Sequence, residues 1–290
     1  MTVRKFPSPP AACPRAAGAR AKTPSPRPLT ILLAEDLELN AGIIAYFLRL
    51  DGHTVTVAEN GAQALEALAR DAFDLVLMDV QMPVMDGLEA LRRIRGGLTP
   101  GIDPAVPVIA LTAHAAAGDR ENLLEAGMDG YLSKPLDTEK LYAAIAALAH
   151  TGRRTAAFGP GREIAPPDDA IDIPGLIRKF AGDAKVVGEL LTLYLETSAQ
   201  KAGEIEAAAA AGDAAALARE CHSLAGIAAS FGLKAVAEAC KETGRLAQAD
   251  EQTRFRGAAS ALRLAMERTN AAIRAHLENT PPSAPAATPA

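Results

Sequence analysis

Between Leu29 and His150, apolar runs of strand length alternate five times with segments of helical spacing, and this alternation restricts the possible folds more than any other feature of the chain. The strand candidates are 30–34 (TILLA), 54–58 (TVTVA), 75–79 (LVLMD), 106–111 (VPVIAL) and 130–133 (GYLS). Helical spacing falls at 37–50, 61–70, 87–95, 118–126 and 138–149, with Gly or Pro at several joints. Strands joined through helices lie parallel, because each helix returns the chain to the same end of the sheet. Near-continuous apolar strands also require cover on both faces. The expectation is an α/β, doubly wound, five-stranded parallel sheet, a fold that binds ligand at the carboxyl ends of its strands.

A different pattern follows. Residues 151–170 (TGRRTAAFGPGREIAPPDDA) are rich in Gly, Pro and charge and read as a linker. From 171 to 278 no strand signal appears, and helical segments fall at 172–181, 183–210, 213–230, 233–248 and 252–277, with Asp183 and Asp213 as N-caps. Short connections between such helices predict an α-helical bundle of the four-helix type. Alanine and leucine supply most of its apolar surface, since aromatic residues make up only 4% of the chain and tryptophan is absent. Residues 1–28 carry six Lys/Arg and no acid among many Pro, Ala and Ser, which predicts a disordered basic tail. The Pro/Ala-rich stretch 279–290 reads as a second disordered tail.

The net charge of −5 gives no electrostatic reason to expect nucleic acid as a partner. No apolar run approaches the roughly 20 residues of a membrane span, so no membrane insertion is expected. The N-terminus lacks the apolar core of a secretion signal. Cys13, Cys221 and Cys240 show no metal-ligand spacing. Together these features predict a reduced, cytoplasmic protein.

The strand ends carry the chemistry of the first domain. Strand 1 runs into Glu35-Asp36, strand 3 ends in Asp79, strand 4 is followed by Thr112, and strand 5 by Lys134-Pro135. Adjacent parallel strands bring the three carboxylates to one rim, where their mutual repulsion calls for a cation. Hard oxygen ligands with open positions suit Mg2+. Three acids, a hydroxyl and a lysine form a phosphoryl-transfer site, with a carboxylate as nucleophile and the cations neutralising charge on the moving group.

The stretch MDVQMPVMDGLEALRRIR (78–95), with AED (34–36), ALTAHA (110–115) and GYLSKP (130–135) in order, resembles a response-regulator receiver domain of the kind found with hybrid sensor kinases, over residues 29–150. The resemblance implies a flavodoxin-like fold with Asp79 as phosphoacceptor, and Mg2+ held by Glu35, Asp36, Asp79 and the backbone carbonyl of Gln81. It also implies that Thr112 hydrogen-bonds the phosphoryl group, that Lys134 pairs with its charge, that Tyr131 is an aromatic switch, and that the Lys134–Pro135 bond is cis. Pro83 and Gly87 shape the loop and the start of the next helix. The sequence GGLTPGIDPAVP (96–107) is an insertion before strand 4, expected to lie away from the rim.

In the second domain, the helix at 213–230 places Arg219, His222, Gly226 and Ala229 along one face, with Ser223 and Ala225 flanking the histidine and Leu224 and Ile227 turned inward. Small neighbours leave room over an exposed imidazole, and a neutral imidazole is a competent nucleophile towards phosphorus. The stretch HSLAGIAASFG, from His222 to Gly232, resembles a histidine phosphotransfer (Hpt) domain, as does IDIPGLIRKFAGDAKVVGELLTLYLE (171–196) upstream. By that resemblance His222 is the phosphorylated residue. Ala225 departs from the family, which usually carries lysine there, and Arg219 stands as a substitute cation. His53, His114, His150 and His276 read as surface or loop residues, with modulation of dephosphorylation as the lesser alternative for His114.

These readings converge on a two-component phosphorelay protein in which a phosphoryl group passes between Asp79, His222 and partner proteins. The partners expected are a sensor histidine kinase and another response regulator or Hpt protein. No glycine-rich ATP-binding motif is visible, so ATP is used elsewhere, by a separate kinase or by another part of a longer hybrid kinase. A docking adaptor with a degenerate Hpt domain is the rival reading, kept open by Ala225. An Mg2+-dependent phosphatase is disfavoured because Gln81 stands where a second catalytic acid would be needed.

Overall fold

The computed structural model describes residues 27–97, 99–112, 117–134, 136–151, 171–180, 182–249 and 252–279. His114, Pro135 with its expected cis bond, and nearly all of the expected linker and tails lie outside them, as does the side chain of His150. The chain divides into two compact units, one within Met1–Ile164 and one within Ala165–Ala290.

The first unit alternates β1 (Thr30–Ala34), α1 (Glu38–Leu50), β2 (Thr54–Ala58), α2 (Gly61–Arg70), β3 (Leu75–Asp79), α3 (Gly87–Arg95), β4 (Val108–Thr112), α4 (Ala117–Glu125), β5 (Gly130–Ser133) and α5 (Thr138–Thr151). The five strands are all parallel, in the order β2-β1-β3-β4-β5. Side chains alternate between the two faces, as strand geometry requires. Leu32, Ala34, Val76, Met78, Val108 and Ala110 meet α2 and α3 through Leu65, Leu68, Leu91 and Ile94. Ile31, Leu33, Leu75, Leu77, Ile109 and Leu111 meet α1 and α5 through Ile44, Leu48, Leu141 and Ile145. Every residue of β3 and β4 is buried, which explains why those strands are apolar up to their last residues, Asp79 and Thr112.

Strand β4 begins two residues later than expected. Pro107 has no N–H to give the ladder, although its carbonyl accepts from Val76 N at 2.8 Å. The insertion before it lies at the amino ends of the strands, opposite the acidic rim, and Arg95 ties it down. Its Nε donates to Gly127 O at 3.0 Å, Nη1 to Pro104 O at 2.7 Å and Val106 O at 2.8 Å, and Nη2 to Asp129 Oδ2 at 2.6 Å. Asp129 Oδ2 in turn accepts from Val108 N at 2.9 Å.

His53 corrects the sequence reading. It is 4% exposed rather than superficial, and its Nδ1 accepts a hydrogen bond from Leu29 N at 3.1 Å. This position at the buried start of β2 demands a neutral imidazole, since a protonated Nδ1 cannot accept. Burial lowers its pKa from 6.5, against the opposing pull of the Asp51 and Asp74 carboxylates.

The second unit contains α6 (Ile173–Lys179), α7 (Ala184–Ala211), α8 (Ala214–Ser230), α9 (Lys234–Gln248) and α10 (Gln252–Asn279). The four long helices close a ring, α8 against α7 and α9, and α10 against α9 and α7, while the short α6 packs on α7. Asp183 and Asp213 cap α7 and α8 by accepting from Val186 N at 3.1 Å and Ala216 N at 2.9 Å. Gly212 ends α7 at φ 70°, the left-handed conformation that a C-cap needs.

Two outcomes test this packing. Arg95→Ala should cost about 2 kcal/mol in urea unfolding by removing the donor to three carbonyls and the cation beside Asp129, and Arg95→Lys should recover less than half, because one ammonium cannot span them. Neutral His53 contributes stability that is present above its unfolded pKa and lost as pH falls through that value towards the depressed folded one. The urea midpoint should therefore fall from about pH 7 to about pH 5, and His53→Gln, an acceptor that does not titrate, should flatten that part of the curve.

Candidate functional site

The rim at the carboxyl ends of β1, β3 and β5 gathers the charged side chains singled out from the sequence. Glu35 and Asp36 follow β1 directly, and α1 starts two residues later, so the carboxylates lie at the positive end of a helix dipole. Carboxylate oxygens of Glu35, Asp36 and Asp79 all lie within 4.8 Å of one another. Lys134 Nζ reaches over from the end of β5 to Asp79 Oδ2 at 2.6 Å and Glu35 Oε2 at 2.7 Å. Glu35 is 1% exposed and Asp79 6% exposed, so little water screens this cluster.

One ammonium against three carboxylates leaves negative charge in excess. The strain shows in Glu35, whose pKa is pushed up to about 7, chiefly by burial, with Asp79 adding to the rise and Lys134 opposing it. Burial pulls Lys134 down, but the carboxylates of Glu35 and Asp79 outweigh it and hold the lysine charged. Glu35 Oε2 is buried and faces Lys134 without an aligned hydrogen bond, while Oε1 accepts from Asn40 Nδ2 at 3.0 Å. Hard oxygen donors and surplus negative charge fit a divalent cation such as Mg2+.

The loop from β3 to α3 is built closely around Asp79. Gln81 N donates to Asp79 Oδ1 at 3.3 Å, and the Gln81 side chain is exposed. A Cβ on Gly87 would lie 2.1 Å from the Asp79 carbonyl oxygen, so only glycine lets α3 begin this close to the strand. Val84 adopts φ 68° beneath a hydrogen bond from Met85 N to Pro83 O at 2.7 Å, a γ-turn of the strained kind. Met85 O is held by Gly61 N at 3.0 Å and the Met85 side chain packs on the core, which fixes the loop and forces the turn. Thr112 closes β4 with its side chain buried, and Tyr131 is buried within the apolar cluster on the α2–α3 face.

In the helical unit, Leu217, Cys221, Leu224, Ile227 and Ala228 of α8 are buried, and His222 projects from the opposite side. Arg219 is exposed, while Ala225, Gly226 and Ala229 are half-buried. A Cβ on Gly226 would meet nothing within 4 Å, so the space next to the histidine is open. His222 is half-buried rather than fully exposed as expected. Helix α9 runs close alongside here, near enough that a Cβ on Gly244 would sit 3.6 Å from Cys221 Cβ. Lys201 of α7 bridges Glu204, at 2.8 Å, and Glu220, two residues before the histidine on α8.

Residues 31–146 match the response regulator receiver domain family and residues 189–272 match the Hpt domain family. The chain carries a response regulator receiver domain followed by an Hpt domain. Its receiver and Hpt domains align together with the sensor histidine kinase GacS of Pseudomonas protegens, 34% identical over 239 residues, covering 81% of this chain and 26% of that protein. The signal transduction histidine-protein kinase BarA of Escherichia coli is 31% identical over 181 residues, covering 61% of this chain and 19% of BarA. The chain thus spans about a quarter or less of these relatives' length. The receiver domain of the Pseudomonas aeruginosa sensor kinase PA1611, solved with magnesium in its active-site cleft, is 40% identical over 43% of this chain and 100% of that structure, with a TM-score of 0.39.

Glu35, Asp36, Asp79 and Lys134 of the receiver therefore form one cluster, and Arg219, His222, Ala225 and Gly226 of the Hpt domain share one helix. The sequence reading missed Asn40 and the Lys201 bridge. A signal for Asn40 was present, a lone amide in the otherwise apolar run LNAGIIAYFL (39–48).

Replacing Val84 by glycine should raise receiver stability by about 1 kcal/mol in denaturant unfolding, the relief of a strained β-branched residue exceeding the added entropy of the unfolded chain. An unchanged or lower stability would show that the turn carries no strain.

Proposed function

We propose that Asp79 accepts a phosphoryl group in an Mg2+-dependent reaction and that His222 exchanges it with an aspartate, on this receiver or on a partner. The observation that carries this reading is the Asp79 carboxylate itself, packed among two other acids and held at 2.6 Å by Lys134 at the mouth of a parallel sheet. Glu35, Asp36 and Asp79, with the backbone carbonyl of Gln81, would hold the Mg2+, which supplies charge neutralisation for the phosphoryl oxygens. An Asp79 oxygen attacks phosphorus, the bond to the donor imidazole nitrogen breaks, and an acyl phosphate forms. Lys134 then pairs with the transferred oxygens, Thr112 hydrogen-bonds them, and Tyr131 responds to the movement of Thr112. Transfer onward reverses the chemistry, with the His222 imidazole as nucleophile and Asp79 as leaving group. The work is positioning and charge neutralisation, which dominate phosphoryl transfer.

The donor is a sensor histidine kinase and the acceptor another response regulator or Hpt protein, in the cytoplasm. The alignment with GacS, which covers 81% of this chain and so spans both domains, supports placing this pair in a hybrid-kinase relay. Among the described residues no helix is long and apolar enough to cross a membrane. The domain bounds taken are 29–150 for the receiver and 171–278 for the Hpt domain. Ala225 favours a second reading for the Hpt domain alone, a docking module that carries no phosphate, since a lysine at that position would share the histidine's side of α8.

Labelled acetyl phosphate with Mg2+ separates these readings. Wild type should acquire alkali-labile acyl phosphate, and Asp79→Asn should lose at least 90% of it (about a tenfold reduction); undiminished label would sink the assignment. A phosphorylated partner receiver should leave alkali-stable label on wild type and none on His222→Gln. Wild type that never acquires this label would establish the docking reading for the Hpt domain.

A further inference from the structure

We infer that Asn40 is a positioning residue for the metal site, fixing the carboxylate of Glu35 for a divalent cation. The inference rests on the reading of the acidic rim as an Mg2+ site. Asn40 lies in the first turn of α1, 6% exposed, and its Nδ2 donates to Glu35 Oε1 at 3.0 Å. Glu35 is itself 1% exposed, so this is a hydrogen bond between two side chains removed from water.

The chemistry at this position is restrictive. Glutamate has one more rotatable bond than aspartate, so its carboxylate needs an external constraint to present one oxygen reproducibly. With Oε1 occupied by Asn40, Oε2 is the oxygen turned towards Lys134, at 2.7 Å. A side-chain amide facing a carboxylate presents its nitrogen and donates without adding charge. A lysine or arginine there would compete with the metal for the carboxylates. An aspartate would add a fourth negative charge to a cluster already short of cations. A neutral donor constrains the ligand and leaves its charge for the ion, which is how partners behind a metal ligand commonly act. The turn of helix that follows the ligand pair supplies the donor, because Asn40 lies five positions after Glu35 and the first turn of α1 folds back over the strand end.

The test is Mg2+ affinity by calorimetry on the full chain, without phosphodonor, for wild type, Asn40→Leu, Glu35→Asp and the double variant. Leucine removes the donor at similar volume. Asn40→Leu should weaken Mg2+ binding about tenfold, the usual scale for losing such a partner. In the Glu35→Asp background, where the shorter carboxylate withdraws from the amide, the same replacement should change affinity less than about twofold. A purely structural amide would weaken both backgrounds alike, and that result would overturn the inference, as would an unchanged affinity in Asn40→Leu. Asn40→Ser, a small polar replacement with a shorter reach, gives a second measurement if the leucine variant does not fold, and wild-type affinity in it would overturn the inference too. Absence of Mg2+ uptake by wild type would instead remove the metal-site reading beneath it.

Discussion

The concentration of negative charge at one edge of a dry parallel sheet is the constraint around which the receiver is organised. Burying carboxylates together is costly, and the cost falls only if cations or donors meet each one. Lys134 meets two, reaching Glu35 and Asp79 from the far side of the sheet, and Asn40 meets Glu35 from α1. The elements beneath, strands apolar on both faces with helices covering each, hold these groups within a few ångströms. Glu35 and Asp79 come from the ends of adjacent strands and Lys134 from the end of the edge strand β5, so the cluster depends on the sheet being assembled.

The Hpt domain solves a different problem. It has no comparable charge cluster among the described residues, and His222 stands on a helix face kept small by Ala225, Gly226 and Ala229. The bundle is held by ordinary means, a buried seam that includes Leu217, Leu224 and Ile227, aspartate caps on α7 and α8, and the Lys201 bridge. Phosphoryl transfer divides naturally along these lines. In the proposed transfer, the receiver brings the electrostatics that stabilise the moving group, and the His222 imidazole as nucleophile would need only access.

How much was legible depended on the range of the interaction involved. β1, β2, β3 and β5 match the apolar runs residue for residue, since periodicity is a local property. The N-caps Asp183 and Asp213 were legible for the same reason, each bonding a backbone N–H three residues on. The start of β4 was misplaced because Val106 and Pro107 look like strand residues while proline cannot donate. His53 was misread because its partner, the backbone N–H of Leu29 just before β1, lies 24 residues away in the chain. Asn40 and Arg95 were missed because their partners are set by the fold, a carboxylate at a strand end, and two carbonyls in the insertion with a third at Gly127.

The sequence by itself therefore determined the order and type of the elements, the family of each domain, and which acids, lysine and histidine are the candidates for the proposed chemistry. Those facts reside in local spacing and in residue type. Only the tertiary structure decided how the charges compensate one another, that Lys134 bridges Glu35 and Asp79, that Asn40 holds Glu35, that Val84 is strained, and that His53 is buried. Each of these depends on segments remote in the chain, or pinned by remote segments, and their positions exist only once the apolar faces have packed.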